Sequence, residues 1–284
     1  MIESIAQHAP FAYELIVVDN ASKANEAAKI KQRYPGIICI RSEKNLGFAG
    51  GNNLGLQKAK GDYLLLLNND TFITDNSIVH LLERLESDPS IGGVSPKIRF
   101  AFSPDKIQFA GCTPLSPVTL RNRQIGYGQA DLGQFDSASP TPFLHGAAMM
   151  LKRKVIREVG LMPEIYFLYY EELDWCTQIK QSGYSLYYEP RSIVFHKESQ
   201  STGLNSPLKS FYMTRNRMLY AARNLKGTGK LGSLIYQSTV SLAKNGLENL
   251  IRGKTTLVIA QIKGVIAFFR LKNKYLNTRW NSYE

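Results

Sequence analysis

Two short polar stretches hold most of the residues that could do chemistry. The first is Asn68-Asn69-Asp70, which follows the unbroken apolar run Tyr63–Leu67. A carboxylate beside carboxamides can hold a hard cation and the phosphates it bridges, although a turn uses the same residue types. The second is Glu171-Glu172-Leu173-Asp174, which follows Tyr166, Phe167, Tyr169 and Tyr170. Adjacent carboxylates beside aromatic rings are partly desolvated, which raises their pKa and makes them better proton acceptors near neutrality. Acids there equally suit the first turn of a helix, where the dipole favours negative charge. His196, one of four histidines, ends a later apolar run; a histidine in that position is more often structural than a ligand.

Glycine-rich loops are a third kind of site. Asn45–Asn53 has glycines at 47, 50 and 51, which is not G-x-G-x-x-G, and it lacks the Gly-Lys-Ser/Thr of a P-loop. Its glycines would still let the backbone come close to a ligand. Cys39, Cys112 and Cys176 lie far apart with no C-x-x-C pair. That argues against structural zinc and a disulfide framework, and for a reducing cytosol. No Ser-His or Cys-His pairing offers a covalent nucleophile.

These residues need a scaffold, and the pattern around them supplies one. Glu14–Asp19, Ile37–Ile40 and Tyr63–Leu67 read as strands, with helices over Asn25–Tyr34, from the Asn45 loop to Lys60, and over Ser77–Ser87. This alternation predicts an α/β fold with a mostly parallel sheet covered by helices. Asp70 then falls just past a strand's carboxyl end, where such sheets bind ligands. Phe100–Thr141 reads as a long, partly irregular insertion. A helix to Gln181 starts at the acidic cluster, and Leu186–Tyr188 and Ser192–Phe195 are short strands before His196. Beyond Leu204 only helical periodicity remains, over 208–224, 231–247 and 255–271. The chain opens in the middle of a helix, so the first strand expected of such a sheet is missing.

Charge divides the chain in two. Residues 205–284 carry 14 Lys and Arg against two Asp and Glu, which accounts for the whole net charge of +12. We therefore expect a domain at 1–204 and a basic helical segment at 205–284 with its own task. The apolar face of Thr255–Leu271, flanked by Lys272, Lys274 and Arg279, suits an anionic membrane surface. No nucleic-acid motif is present, and the aromatics sit at helical core spacing, so a nucleic-acid partner is not expected. With neither a signal peptide nor a spanning run, the expected location is cytoplasmic, peripheral on the inner face of the cell membrane.

Taken in order, the motifs carry a resemblance that none carries alone. Asp19-Asn20-Ala21-Ser22, Asn45-x-Gly47-Phe48-Ala49-x-Gly51-x-Asn53, Leu67-Asn68-x-Asp70, Gly146-Ala147-x-Met149, Tyr170-Glu171-Glu172-x-Asp174 and His196 resemble family 2 glycosyltransferases. The nearest branch is the bacterial rhamnosyltransferase-like one, which has the GT-A fold. The resemblance spans roughly residues 10–225. It implies a nucleotide-diphosphate sugar donor, with Asp19, Asn20, Ser22, Asn45, Gly47 and Asn53 on the nucleoside side. Asn68, Asn69 and Asp70 match the family's metal motif, for Mg2+ or Mn2+, with Asp70 as the ligand. His196 matches a position that completes the metal or diphosphate site. Glu172 matches the catalytic base, where many relatives carry Asp, so Glu171 and Asp174 stand as second choices. The implied reaction is transfer of a sugar, rhamnose or another hexose, to a hydroxyl of a glycan or lipid-linked acceptor, with inversion. Were the missing strand essential, the chain would instead be an inactive sugar-nucleotide-binding or membrane-docking protein. A dehydrogenase is disfavoured by the absent dinucleotide fingerprint.

Overall fold

β-branched and leucine-rich runs make the strands, and the polar-apolar segments between them make the covering helices. The computed structural model describes residues 1–197 and 206–271. From the amino end, α1 (Ile2–His8), β1 (Ile16–Asp19), α2 (Glu26–Arg33), β2 (Ile38–Arg41), α3 (Gly47–Lys58) and β3 (Tyr63–Leu67) follow in turn. Next come β4 (Thr71–Phe72), α4 (Val79–Ser87), β5 (Ile91–Phe100), β6 (Ser103–Phe109), β7 (Ser139–Pro140) and β8 (Ala148–Lys152). The body closes with α5 (Arg153–Val159), a 3-10 turn at Glu164–Tyr166, α6 (Glu171–Gln181) and β9 (Ser185–His196). Helices α7 (Pro207–Asn224), α8 (Gly227–Tyr236), α9 (Leu242–Ile251) and α10 (Thr255–Phe269) complete it, with a π-helical turn at Gln237–Ser241.

The expected α/β architecture and the C-terminal helices are both present. The larger sheet runs β3-β8-β5-β9-β4, with β6 on β5 and β7 on β9. β5 and β9 are parallel, whereas β8 is antiparallel to both β3 and β5. Thus β3, β5 and β9 share one direction, and β8, which re-enters after the long excursion, opposes it. β1 and β2 form a separate parallel pair. Among the described residues β1 does not pair with β3, but α3 reaches across both sheets. Gly55 faces Val18 and Ile16 of β1, while Ala49 and Leu56 belong to the main core.

Three departures from the sequence reading have clear causes. β5, the middle of the sheet, carries Gly92, Gly93, Pro96 and Lys97 and has no strand signature. Its glycines are dictated by space: a Cβ would stand 2.8 Å from Tyr184 Cβ at position 92 and 2.7 Å from Leu144 Cδ1 at position 93. Lys97 is buried because its ammonium pairs with Asp131 at 3.0 Å and also with Asp136. Burial works against charge on Asp131, but Lys97 and Arg99 outweigh it and hold its carboxyl below the usual range. This ion cluster fastens the insertion to the sheet. Second, β9 is one strand through Glu189-Pro190, with a register shift between Pro96 and Lys97 that absorbs the irregularity. Third, the Gly/Asn stretch is helical from Gly47 onward.

The division expected at 204/205 lies outside the described residues, as do Lys272, Lys274 and Arg279. The helices beyond it share a core with the body: Leu120, Tyr166 and Tyr170 pack with Met218, Leu219 and Phe268. At Gly264 of α10 a Cβ would come within 2.7 Å of the Phe211 carbonyl of α7, so only glycine permits this close crossing. Among the described residues no helix is long and apolar enough to cross a membrane.

Candidate active site

At the carboxyl end of β3 the chain turns through Asn68-Asn69-Asp70 into β4. Asn68 N–H donates to the Ala147 carbonyl at 3.0 Å, and Thr71 Oγ1 donates to the Asn68 carbonyl at 2.7 Å. Antiparallel pairing then sets Thr71 opposite His196 and brings that ring to Asp70. His196 Nε2 stands 3.2 Å from Asp70 Oδ1, a buried oxygen with no hydrogen bond. On the other side of the ring, Nδ1 lies 2.9 Å from Gln108 Oε1. With Nδ1 donating to Gln108, the Nε2 lone pair and a carboxylate oxygen face each other. A proton or a cation must reconcile them. With a proton there, His196 holds the Asp70 carboxyl below its usual range, against the opposing effect of burial. The pair therefore fits a hard cation, although no cluster of three or more His, Cys, Asp or Glu exists among the described residues. Asn68 and Asn69 precede Asp70 in the chain, and among the described residues no hydrogen bond engages their side chains.

His145 completes this corner: its ring is 6.2 Å from that of His196. Burial first, and then the charge of His196, pushes His145 down to about 3, so it stays neutral. Its Nδ1 accepts from Ala147 N–H at 3.1 Å, which steadies the carbonyl that holds Asn68. Gln108 and His145 both escaped the sequence reading, since Gln108 lies in the insertion and His145 in an apolar run.

The acidic cluster opens α6 behind a strained loop. Phe167, Tyr169 and Tyr170 have φ of +64°, +69° and +77°, a region that bulky residues enter only at a cost of about 1–3 kcal/mol each. Hydrogen bonds from both sides hold it. Asn216 Nδ2 donates to the carbonyls of Tyr166, Leu168 and Tyr169, and Arg215 donates to those of Ile165 and Tyr166. From α3, Phe48 N–H donates to the Phe167 carbonyl at 2.7 Å. A Cβ on Gly47 would collide with that carbonyl, and its φ of +73° also demands glycine. Asn216 is the residue whose importance the sequence hid, in a helix that reads as ordinary amphipathic packing.

The three acids of α6 have different fates. Asp174 is buried in an ion pair with Arg223 Nε at 2.6 Å and accepts from Gln178 Nε2 at 3.0 Å, so its charge is already answered. Glu171 is buried, and burial followed by the Glu172 charge pushes its carboxyl well above the usual range. Glu172 alone lines a cavity of about 510 Å³, with Leu120, Arg121, Tyr170, Met213 and Arg217. Its Oε2 is buried without a partner, and burial raises its pKa. A second cavity, about 370 Å³ between Tyr63 and Arg157, lies at the opposite end of β3, away from this chemistry.

The Asp19–Asn53 group is brought together as a wall. Asp19 accepts from Ser22 N–H, Ser22 Oγ, Ala27 N–H and Arg41. Burial disfavours its charge, yet these donors keep its pKa low. Asn20 donates to Asn45 Oδ1 and to the Gly47 carbonyl and accepts from Leu46 N–H, locking the two loops together. Asn53 is buried and bridges to Met162 and Glu164. These side chains are thus all engaged within the protein.

The Asp70–His196 pair at a strand's carboxyl end and the cavity lined by Glu172 sit on a fold shared with solved GT-A glycosyltransferases. The chain superposes on a structure of GalNAc-T7 with UDP, GalNAc and Mn2+ with a TM-score of 0.59 and 17% identity, covering 86% of this chain and 54% of that one. It also superposes on mannosyltransferase PcManGT from Pyrobaculum calidifontis, in complex with GDP-Man and Mn2+, with a TM-score of 0.54, 15% identity and coverage of 95% and 82%. The profile of Glycosyl transferase family 2 matches residues 1–160, and the chain belongs to that family. It is 27% identical over 213 residues to the low-salt glycan biosynthesis hexosyltransferase Agl10 of Haloferax volcanii, covering 72% of this chain and 66% of the relative. It is 26% identical over 221 residues to the N-acetylglucosaminyl-diphospho-decaprenol L-rhamnosyltransferase of Mycobacterium tuberculosis, covering 70% and 71%. The chain thus spans about two thirds of the length of these relatives.

Proposed function

We propose that the protein is an inverting glycosyltransferase that moves a hexose, rhamnose among the candidates, from a nucleotide-diphosphate donor to a hydroxyl of a glycan or lipid-linked acceptor. The observation that carries this reading is the unpartnered Glu172 Oε2 at the cavity, on the same body as the Asp70–His196 pair. Asp70 and His196 would hold Mg2+ or Mn2+, whose remaining ligands come from water and the donor's phosphates. When bound, the cation neutralises the charge of the departing diphosphate. Asn68 and Asn69 offer free amides to the same phosphates, and the Asp19–Asn53 wall shapes the nucleoside side. Glu172 takes the proton of the acceptor hydroxyl while that oxygen attacks the anomeric carbon opposite the leaving group. One carbon–oxygen bond forms as the bond to the diphosphate breaks, and the configuration inverts. The raised pKa of Glu172 strengthens it as a base.

The test is release of nucleoside diphosphate from UDP-, GDP- and dTDP-sugars by the purified chain with a membrane lipid extract as acceptor. Metal-dependent release that vanishes in Glu172→Gln and Asp70→Ala supports the roles; full activity in both variants contradicts them. The interruption between β1 and β3 favours a second reading, nucleotide binding without turnover. Under that reading the nucleotide binds and no acceptor is glycosylated.

A peripheral position on the inner face of the membrane belongs to the same proposal. Ile259, Ile262, Ile266 and Phe269 recur at helical spacing as an exposed stripe on α10, and Leu247 and Ile251 are exposed on α9, with exposures between 43% and 78%. Contiguous apolar surface of this kind marks an interaction site. The exposed Arg252, Lys254, Lys263 and Arg270 around it suit anionic lipid rather than neutral protein surface.

A further inference from the structure

The Glu172 cavity contains two cations with no acidic partner. Arg121, at the end of the Ser116–Arg121 turn, has no side-chain hydrogen bond or ion pair among the described residues and is exposed. Arg217, the residue after Asn216 on α7, uses only Nε among the described residues, donating to Tyr170 Oη at 3.1 Å. That hydroxyl donates in turn to the Leu120 carbonyl at 2.6 Å, so a single bridge orders the guanidinium and the turn that carries Arg121. Both arginines act electrostatically on Tyr170, opposing the rise that burial imposes on its hydroxyl. The cavity wall therefore carries two positive charges and one carboxylate, and Leu120, Leu173 and Met213 supply its apolar part.

We propose that Arg121 and Arg217 form an anion subsite for a phosphate carried by the acceptor, beside the hydroxyl that Glu172 deprotonates. Guanidinium forks match phosphate oxygens with paired hydrogen bonds, and the free edge of Arg217 and the whole fork of Arg121 remain for that use. The donor's own phosphates have other partners in the proposal: Asn68, Asp70 and His196 do not line this cavity. The apolar wall adds a preference for a phosphate joined to a hydrocarbon or ring. The inference rests on the reading of Glu172 as the base, and its test reads binding rather than turnover so that the two can fail separately.

The full chain is titrated with benzyl phosphate, and with benzyl alcohol as the control lacking the anion, by calorimetry. The expected result is binding of benzyl phosphate only. Arg121→Gln, at an exposed position that leaves folding intact, and Arg217→Gln each weaken it about tenfold, as loss of one charge-assisted hydrogen bond does. UDP or GDP with Mn2+ leaves it in place. Unchanged affinity in the double variant overturns the proposal, and so does displacement by the nucleoside diphosphates, which would assign the arginines to the donor. Retention of benzyl phosphate binding in Glu172→Gln is expected. If that variant also kept full transfer, the base assignment would fail while the subsite stood.

Discussion

His196 Nε2 lies 3.2 Å from Asp70 Oδ1, and nothing but a proton or a cation can sit comfortably between two such atoms. Gln108 Oε1, 2.9 Å from Nδ1, fixes which ring nitrogen presents its lone pair. Gln108→Leu is expected to weaken Mn2+ binding about tenfold, read by electron paramagnetic resonance of free Mn2+ with UDP present. Because the cation replaces a proton, affinity must fall as pH falls. Unaltered Mn2+ affinity in Gln108→Leu would remove the glutamine from the site.

Glu171 supplies a stability test. Its folded pKa is well above its ordinary 4.5, so between the two values the folded state binds more protons than the unfolded one, and stability falls as pH rises. Glu171→Gln, which cannot ionise, is expected to raise the melting temperature at pH 8 and to change it little at pH 4, where the wild-type carboxyl is mostly protonated in both states. A gain of equal size at both pH values would show that repulsion and burial of charge are not the cause.

Asn216 holds three carbonyls of the strained loop ahead of Glu172. Asn216→Ala removes a donor from all three carbonyls, of which Tyr166 keeps Arg215, and should cost roughly 2 kcal/mol in denaturant unfolding. The strain then relaxes, and kcat should fall more than donor KM rises. An unfolding free energy within error of wild type would show that the loop holds itself.

What could be read in advance was decided by how local the cause is. Tyr63–Leu67 is a strand because its own residues are apolar, and Glu171–Gln181 is a helix because its own acids and periodicity say so. β5 was illegible because each of its odd residues answers to something distant: Gly92 to Tyr184, Gly93 to Leu144, Lys97 to Asp131. The site shows the same split. Asp70, Glu172 and His196 stand out by type and order, and the structure sets Asp70 against His196 and Glu172 on a cavity. It also separates the acids that looked alike, since Asp174 is neutralised by Arg223. The Asp19–Asn53 side chains, legible as a ligand loop, turn out to be engaged within the protein: Asn20 bonds Asn45, Asp19 caps Ala27 N–H, and Asn53 holds the Met162 carbonyl. Hydrogen-bond partners of this kind are not written in spacing.

The exposed stripe on α10 makes a prediction about lipid. Co-sedimentation with phosphatidylglycerol-containing vesicles should exceed that with pure phosphatidylcholine, and Ile262→Glu with Phe269→Glu should abolish it, since each exchange removes buried apolar area and adds repulsion. Nucleotide binding should be untouched. Equal sedimentation of the variant would mean that the stripe meets something other than a membrane.

Transfer by metal-bound donor and Glu172 is tested by calorimetry of UDP, GDP and dTDP with and without Mn2+, on wild type, Asp70→Ala and Glu172→Gln, paired with turnover on the matching nucleotide sugars. One nucleotide is expected to bind tightly only with metal. That binding is lost in Asp70→Ala and kept in Glu172→Gln, which binds but does not transfer. Nucleotide binding that ignores both the metal and Asp70, or transfer that survives Glu172→Gln, would contradict it.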